Sequence, residues 1–194
     1  QSGFTVFSES QTGTPPTKNV VLPTSVDTAK SFPLISWRSA RRANQSQHDA
    51  KNMFSAEITT GTNLQIKRSV ANAALYNNDL AWQVVTFDAD VTVTKGAVDI
   101  DNAVDAGETS DNNTVTVATI SPALASTGKA MLFYTFTPTA DTGIEGEIYV
   151  DGQITGTTGI TFTRITGTNA VKIIYYLLEF SNEMFVQHGR YWSS

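Results

Sequence analysis

The sequence predicts an all-β chain made of two tandem antiparallel β-sandwich domains, immunoglobulin-like or jelly-roll-like in size and related by internal duplication. Three observations carry this. The run Leu80-Ala81-Trp82-Gln83-Val84-Val85-Thr86-Phe87, followed by Val91 to Gly96, is echoed by Ile173-Ile174-Tyr175-Tyr176-Leu177-Leu178-Glu179-Phe180, followed by Met184 to Gly189. Trp82 and Tyr175, Phe87 and Phe180, Val93 and Val186, and Gly96 and Gly189 each stand 93 residues apart, and Gly3 precedes Gly96 by 93. A fixed period of this kind marks a repeated structural unit. The composition, 40% hydrophobic but only 16% charged and rich in Thr, Ser, Asn and Gly, suits strands joined by polar turns, not a helical bundle. Short alternating segments, seven or so per unit, recur between turn residues.

The period divides the chain into repeat 1 (1–90), repeat 2 (91–183) and a C-terminal strand or tail (184–194) that begins a third repeat. A unit of this length has its own core but is small, so it gains by packing on a neighbour.

In chain order, Phe4 to Phe7 opens the first unit. Ser10 to Lys18 is turn chemistry, since a glycine and two prolines interrupt any ladder. Val20-Val21-Leu22 resumes a strand. Phe32 to Trp37 makes another, placed at an edge or starting at Leu34 because Pro33 lacks a donor. Residues 38–52 have no apolar periodicity and read as a long exposed loop. Phe54 to Ile58 and Leu64 to Lys67 pair around a turn at Thr60-Gly61. Ser69 to Asn78 reads as a loop or one helical turn. Leu80 to Phe87 is apolar on both faces, which predicts a central strand covered by the core on one side and by a neighbour on the other.

In the second unit, residues 99–113 form an acidic loop and Thr114 to Thr119 alternates as a strand. Lys129 to Phe136 reproduces Lys30 to Trp37 at an offset of 99, Glu147 answers Glu57 at 90, and Arg164 answers Arg68 at 96. Such drift follows from duplication with divergence in the loops. The tail, with Met184, Phe185, Val186, Tyr191 and Trp192, is too apolar for an idle terminus. It predicts an ordered contact at residues 184–192, through pairing with an exposed sheet edge.

Several function classes drop out. There is no cysteine, hence no disulfide framework and no thiolate metal site. No run is apolar enough to span a bilayer, so no membrane insertion is expected. Net charge is −5, split as +1 over residues 1–90 and −6 over 91–194, and an acidic total argues against nucleic acid. The chain opens at Gln1 with no basic or apolar leader, which reads as a processed or trimmed chain.

Candidate sites are few. His48 and His188 are the only histidines and lack neighbouring ligands, so no catalytic triad or zinc site is expected, and no enzyme. Asp99, Asp101, Asp105, Glu108 and Asp111 supply oxygens for Ca²⁺ but lack the glycine and the final glutamate of an EF-hand loop, so the expected reading is a solvated loop and no cofactor or metal. Arg38, Arg41, Arg42 and Lys51 form a basic cluster that could grip phosphate or an anionic glycan, although a solvated loop is the favoured reading. A third reading sets its charge against that acidic loop in a salt-sensitive head-to-tail contact through Arg38, Arg41, Arg42, Asp99, Asp101 and Asp105. Trp37, Trp82 and Tyr175-Tyr176 could stack sugars, although their recurrence in both units favours core packing. Asn44-Gln-Ser and Asn112-Asn-Thr fit the glycosylation acceptor pattern.

At Trp82-Gln83-Val84-Val85-Thr86-Phe87, then Val93-Thr94-Lys95-Gly96, the chain resembles repeats of tailed-phage particle proteins, in which a W-x-V-V-E-F-like strand precedes a V-Q-R-G-like opening. The second copy, Tyr175 to Phe180 and Val186-Gln187-His188-Gly189, keeps Glu179 and Gln187 but replaces the Trp by Tyr. The first has Thr86 for the Glu and Thr94 for the Gln. This resemblance implies a virion surface or tail role. The expected function is therefore a non-enzymatic structural protein of a phage particle (head decoration, tail or fibre) that contacts its own copies and other particle proteins. The alternatives are an extracellular filament or adhesin subunit joined by strand exchange, and a carbohydrate-binding module that takes a glycan.

Overall fold

The computed structural model describes residues 1–8, 16–39, 53–69, 77–100, 114–139, 149–164, 170–181 and 185–186. Unit 1 contains β1 (Ser2–Phe7), β2 (Thr17–Val21), β3 (Ser31–Ser39), β4 (Phe54–Thr60), β5 (Asn63–Arg68) and β6 (Asn78–Thr86). Unit 2 contains β7 (Val91–Ile100), β8 (Thr114–Thr119), β9 (Ala130–Pro138), β10 (Asp151–Gly156), β11 (Gly159–Arg164) and β12 (Val171–Phe180), with a 3-10 turn at Thr127–Lys129 before β9.

Unit 1 is a sandwich of the sheets β1-β6-β3 and β2-β5-β4, and unit 2 one of β7-β12-β9 and β8-β11-β10, all pairs antiparallel. Adding six to each strand number converts one half into the other, so the chain is two tandem β-sandwiches related by duplication. In immunoglobulin order, one sheet runs A-B-E-D and the other C-F-G. Here β2-β5-β4 takes the place of B-E-D and β3-β6 that of C-F. The final slot, normally filled by the last strand, is occupied by β1, the first.

Each unit has six strands among the described residues, fewer than the seven or so expected. The described crossover after the second strand adds no ladder. Leu22 is buried, but its N–H bonds to Thr62 O at 2.9 Å and that of Val26 to Gly61 O at 2.8 Å, which ties the crossover to a hairpin turn and not to a ladder. Unit 2 repeats this with Ile120 on Thr158 O and Leu124 on Thr157 O. These hairpins also set the correspondence of the two halves: Ile58 faces Leu64 as Ile154 faces Ile160. Glu57 therefore corresponds to Gln153, not to Glu147, which lies outside the described residues. Arg68 and Arg164 do correspond, and both are buried. The Arg68 guanidinium stacks 4.9 Å from the Phe7 ring centroid, and burial lowers its pKa from the ordinary value.

The clearest signature of duplication is a glycine beneath a ring. Gly3 faces Trp82, and Gly96 faces Tyr175. A Cβ on Gly3 would come 2.5 Å from the indole, and one on Gly96 would overlap the Tyr175 ring. The bare backbone lets each aromatic lie across its neighbour strand, which packs the ring at no side-chain cost.

Pro33 is accommodated as an edge strand allows. It faces Val84, whose N–H and C=O both bond Gln1, at 2.7 and 2.9 Å. The Pro33 nitrogen therefore points out of the sheet, where no ladder bond is lost.

Candidate assembly surface

Three apolar clusters organise the chain. One is the core of unit 1, around Phe54, Leu64, Ile66, Leu80 and Trp82. A second is the core of unit 2, around Ile160, Phe162, Ile173, Tyr175 and Leu177. The third lies between the units: Phe32 packs with Val91, Val93, Ile174, Tyr176, Leu178 and Phe180, while Val85, Phe87 and Phe133 flank it. The Phe32 ring stacks on Phe133 at 4.6 Å between centroids, and Phe87 meets Phe180 edge-on at 6.2 Å. Seven buried side chains at about 1.5–3 kcal/mol each make this junction a core in its own right.

Polar bonds fix the register of the junction. β4 is an edge strand of its sheet, so alternate N–H groups face outward. Unit 2 caps them: Ile58 N–H donates to Tyr176 Oη at 3.0 Å, and Ala56 N–H to Thr135 Oγ1 at 3.3 Å. Lys95 Nζ donates to Glu57 Oε1 at 3.0 Å, and Lys67 Nζ stands 3.8 Å from Glu57 Oε2. Burial pushes the Tyr176 hydroxyl well above tyrosine's usual pKa, and the Glu57 carboxylate adds to this, against the opposing effect of the Ile58 N–H. Lys30 clamps the connecting turn, donating to the carbonyls of Asp88, Ala89 and Val91 at 3.0–3.3 Å. This role was not anticipated, although the recurrence of Lys30 as Lys129 was its visible trace.

The chain leaves the two units in the same way. Val93 N–H donates to Ala29 O at 3.0 Å as the chain enters unit 2, and Val186 N–H donates to Gly128 O at 2.7 Å as it leaves. Val93 and Val186 are 93 residues apart, and Ala29 and Gly128 share the 99-residue offset of the strands they precede. Val186 also packs against the junction cluster, whereas Phe185 is 77% exposed.

A groove of about 690 Å³ opens on the outer face of β1-β6-β3, lined by Phe4, Thr5, Val6, Ser36, Trp37, Arg38, Asp79 and Ala81. Trp37 lies on the inner face of β3, opposite Leu80, but is 38% exposed, so the expectation that it packs in the core holds only in part. It stands near the sheet end and meets the Phe54 ring at a tilt of 60°, with centroids 5.5 Å apart. Trp82, Tyr175 and Tyr176 are buried.

Of the predicted contact residues, Arg38, Asp99, Phe185 and Val186 are among the described ones. Arg38 lies on β3 and pairs with Asp79 at 2.7 Å, both well exposed, a geometry worth little in water. Asp99 lies on β7, facing Lys172 across the ladder. Phe185 and Val186 follow β12. Arg41, Arg42, Asp101, Asp105, Met184, Tyr191 and Trp192 fall outside the described residues, as do both histidines and the rest of the acidic loop. Among the described residues, no three His, Asp or Glu gather as a metal site. No family model, no curated protein and no solved structure matches the chain.

Proposed function

We propose that the chain is a non-enzymatic structural protein of a phage particle, acting in head decoration, tail or fibre through contacts between β-sandwich units. The observation that carries the reading is the repeated exit: Val186 sits on Gly128 as Val93 sits on Ala29. The backbone thus leaves unit 2 along the path that, one unit earlier, leads into a large apolar junction. A surface of that kind serves stacking, and the phage assignment rests on the resemblance of Trp82–Phe87 and Val93–Gly96 to particle repeats. Antibody raised against the chain and applied to purified particles in the electron microscope should label regular positions. Particles that carry no label, intact or partly dissociated, would overturn the assignment.

A second reading, a carbohydrate-binding module, is favoured by the groove, where the exposed Phe4 ring stands beside the Arg38–Asp79 pair. Stacking aromatic and hydrogen-bonding groups together are what a sugar ring requires. Titration with glycans should give a binding heat that Phe4→Ala abolishes if this holds. A flat response across a glycan panel removes it.

A further inference from the structure

The outer flank of unit 1 differs in kind from the same flank of unit 2. In β1, Gln1 exchanges both backbone bonds with Val84, so the odd residues face β6, and Ser2, Phe4 and Val6 turn their N–H and C=O groups outward. β1 is an edge strand. Among the described residues, the one side chain that reaches these outward groups is Lys18, whose Nζ donates to Val6 O at 2.5 Å. An open edge is a template for pairing, and proteins normally blunt it with charge. Unit 2 does so. The positions equivalent to Ser2, Phe4 and Val6 are Lys95, Ala97 and Asp99, by the registers with β6 and β12. Unit 1 does the opposite: Phe4 is 86% exposed and Val6 48%. On β2, the adjoining edge of the other sheet, Val21 is 78% exposed where unit 2 has Thr119.

We propose that two copies of the chain join through β1, edge to edge and antiparallel, to give a continuous six-stranded sheet in the order β3-β6-β1-β1-β6-β3. The edge is self-complementary. With Phe4 opposite its symmetry mate, Ser2 faces the mate's Val6, and the outward groups of 2, 4 and 6 meet as bonded pairs about a two-fold axis once Lys18 Nζ swings off Val6 O. The two Phe4 rings lie on the same face, close enough to stack across the pair. The inference deepens the assembly reading and rests on it, naming the surface through which copies meet. It involves no residue of the junction core.

Sedimentation velocity of the intact chain tests it. The parent should show a dimer at roughly 100 µM, as expected of a small interface. Phe4→Lys should remain monomeric at concentrations at least tenfold higher, with an unchanged melting temperature because Phe4 lies outside the core. The chain has no cysteine. Phe4→Cys should therefore oxidise to a disulfide-linked dimer, while Ala97→Cys, at the equivalent position of unit 2, should not. A monomeric parent, a dimer that persists in Phe4→Lys, or equal cross-linking by the two cysteine variants would each overturn the proposal. Persistence of a larger assembly in Phe4→Lys refutes this surface and leaves the assembly reading standing. Unlabelled particles refute the phage reading and leave the dimer measurement unaffected.

Discussion

β6 and β12 are the same strand twice. Each lies at the centre of its sheet, pairs with the first and third strands of its unit, and turns three alternate residues into its own core: Leu80, Trp82 and Val84 in one, Ile173, Tyr175 and Leu177 in the other. Their outer faces have parted. In β12 that face carries Ile174, Tyr176 and Leu178, all buried in the junction, whereas in β6 it carries Ala81, Gln83 and Val85, of which Gln83 is exposed. The difference teaches that one face of the strand answers to the fold and the other to the neighbour. The inner pattern survived duplication because any change there opens a void. The outer pattern followed whatever came to lie against it.

The strongest way to break the comparison is a matched pair of charges. Ile174→Asp should cost more than about 3 kcal/mol, since it buries a carboxylate in an apolar junction. Ala81→Asp, at the same position of unit 1, should cost under about 1 kcal/mol. Urea titration of both decides, and equal losses would mean that the junction is not closed in solution.

The shared inner face makes the converse prediction. Gly3→Val and Gly96→Val should destabilise by similar amounts, about 1–3 kcal/mol each, because both force a side chain into a ring. Differential scanning calorimetry should find the two shifts alike.

Two smaller effects sharpen the junction. Tyr176→Phe leaves the Ile58 N–H without its acceptor and should cost about 1 kcal/mol at neutral pH. Its sign reverses in importance at high pH. The folded pKa of Tyr176 is raised, so its contribution is intact below the unfolded value of ~10 and is lost as pH rises beyond it. Tyr134 and Tyr175 shift in the same direction. The parent should therefore lose stability above pH ~10 more steeply than Tyr176→Phe, and parallel alkaline profiles would contradict the burial of this hydroxyl. Smallest of all, Glu57→Gln should cost under about 1 kcal/mol, because Lys95 is partly exposed, and the effect should fade in 1 M salt.

Much of the architecture was legible in particular residues. The 93-residue spacing of glycine and aromatic reflects a steric pair, ring over bare backbone, that tolerates few substitutes. Pro33 announced an edge because it cannot donate. The double cover predicted for Leu80–Phe87 belongs fully to its copy, β12: both runs look apolar in sequence, but burial of an outer face depends on what stands opposite, and Gln83 alone hinted at water. Trp37 was assigned to the core from its match to Phe136, yet a matching strand position says nothing of how far a larger ring projects at a sheet end. Glu57 was aligned to Glu147 by residue type, whereas hairpin register, set by turns at Gly61-Thr62 and Thr157-Thr158, aligns it to Gln153. The junction itself, with Lys30 and the capped edge of β4, is a product of distant segments meeting, which no local pattern encodes.

The proline on β3 has one more consequence. With Pro33 turned outward, the β1-β6-β3 sheet has an imino nitrogen where a newcomer on that flank would look for a donor, so lateral growth is disfavoured there. The opposite flank has no such stop. If copies join through β1 as proposed, a layer that can be extended on that side only closes after a single addition, so this contact by itself gives pairs and not fibres.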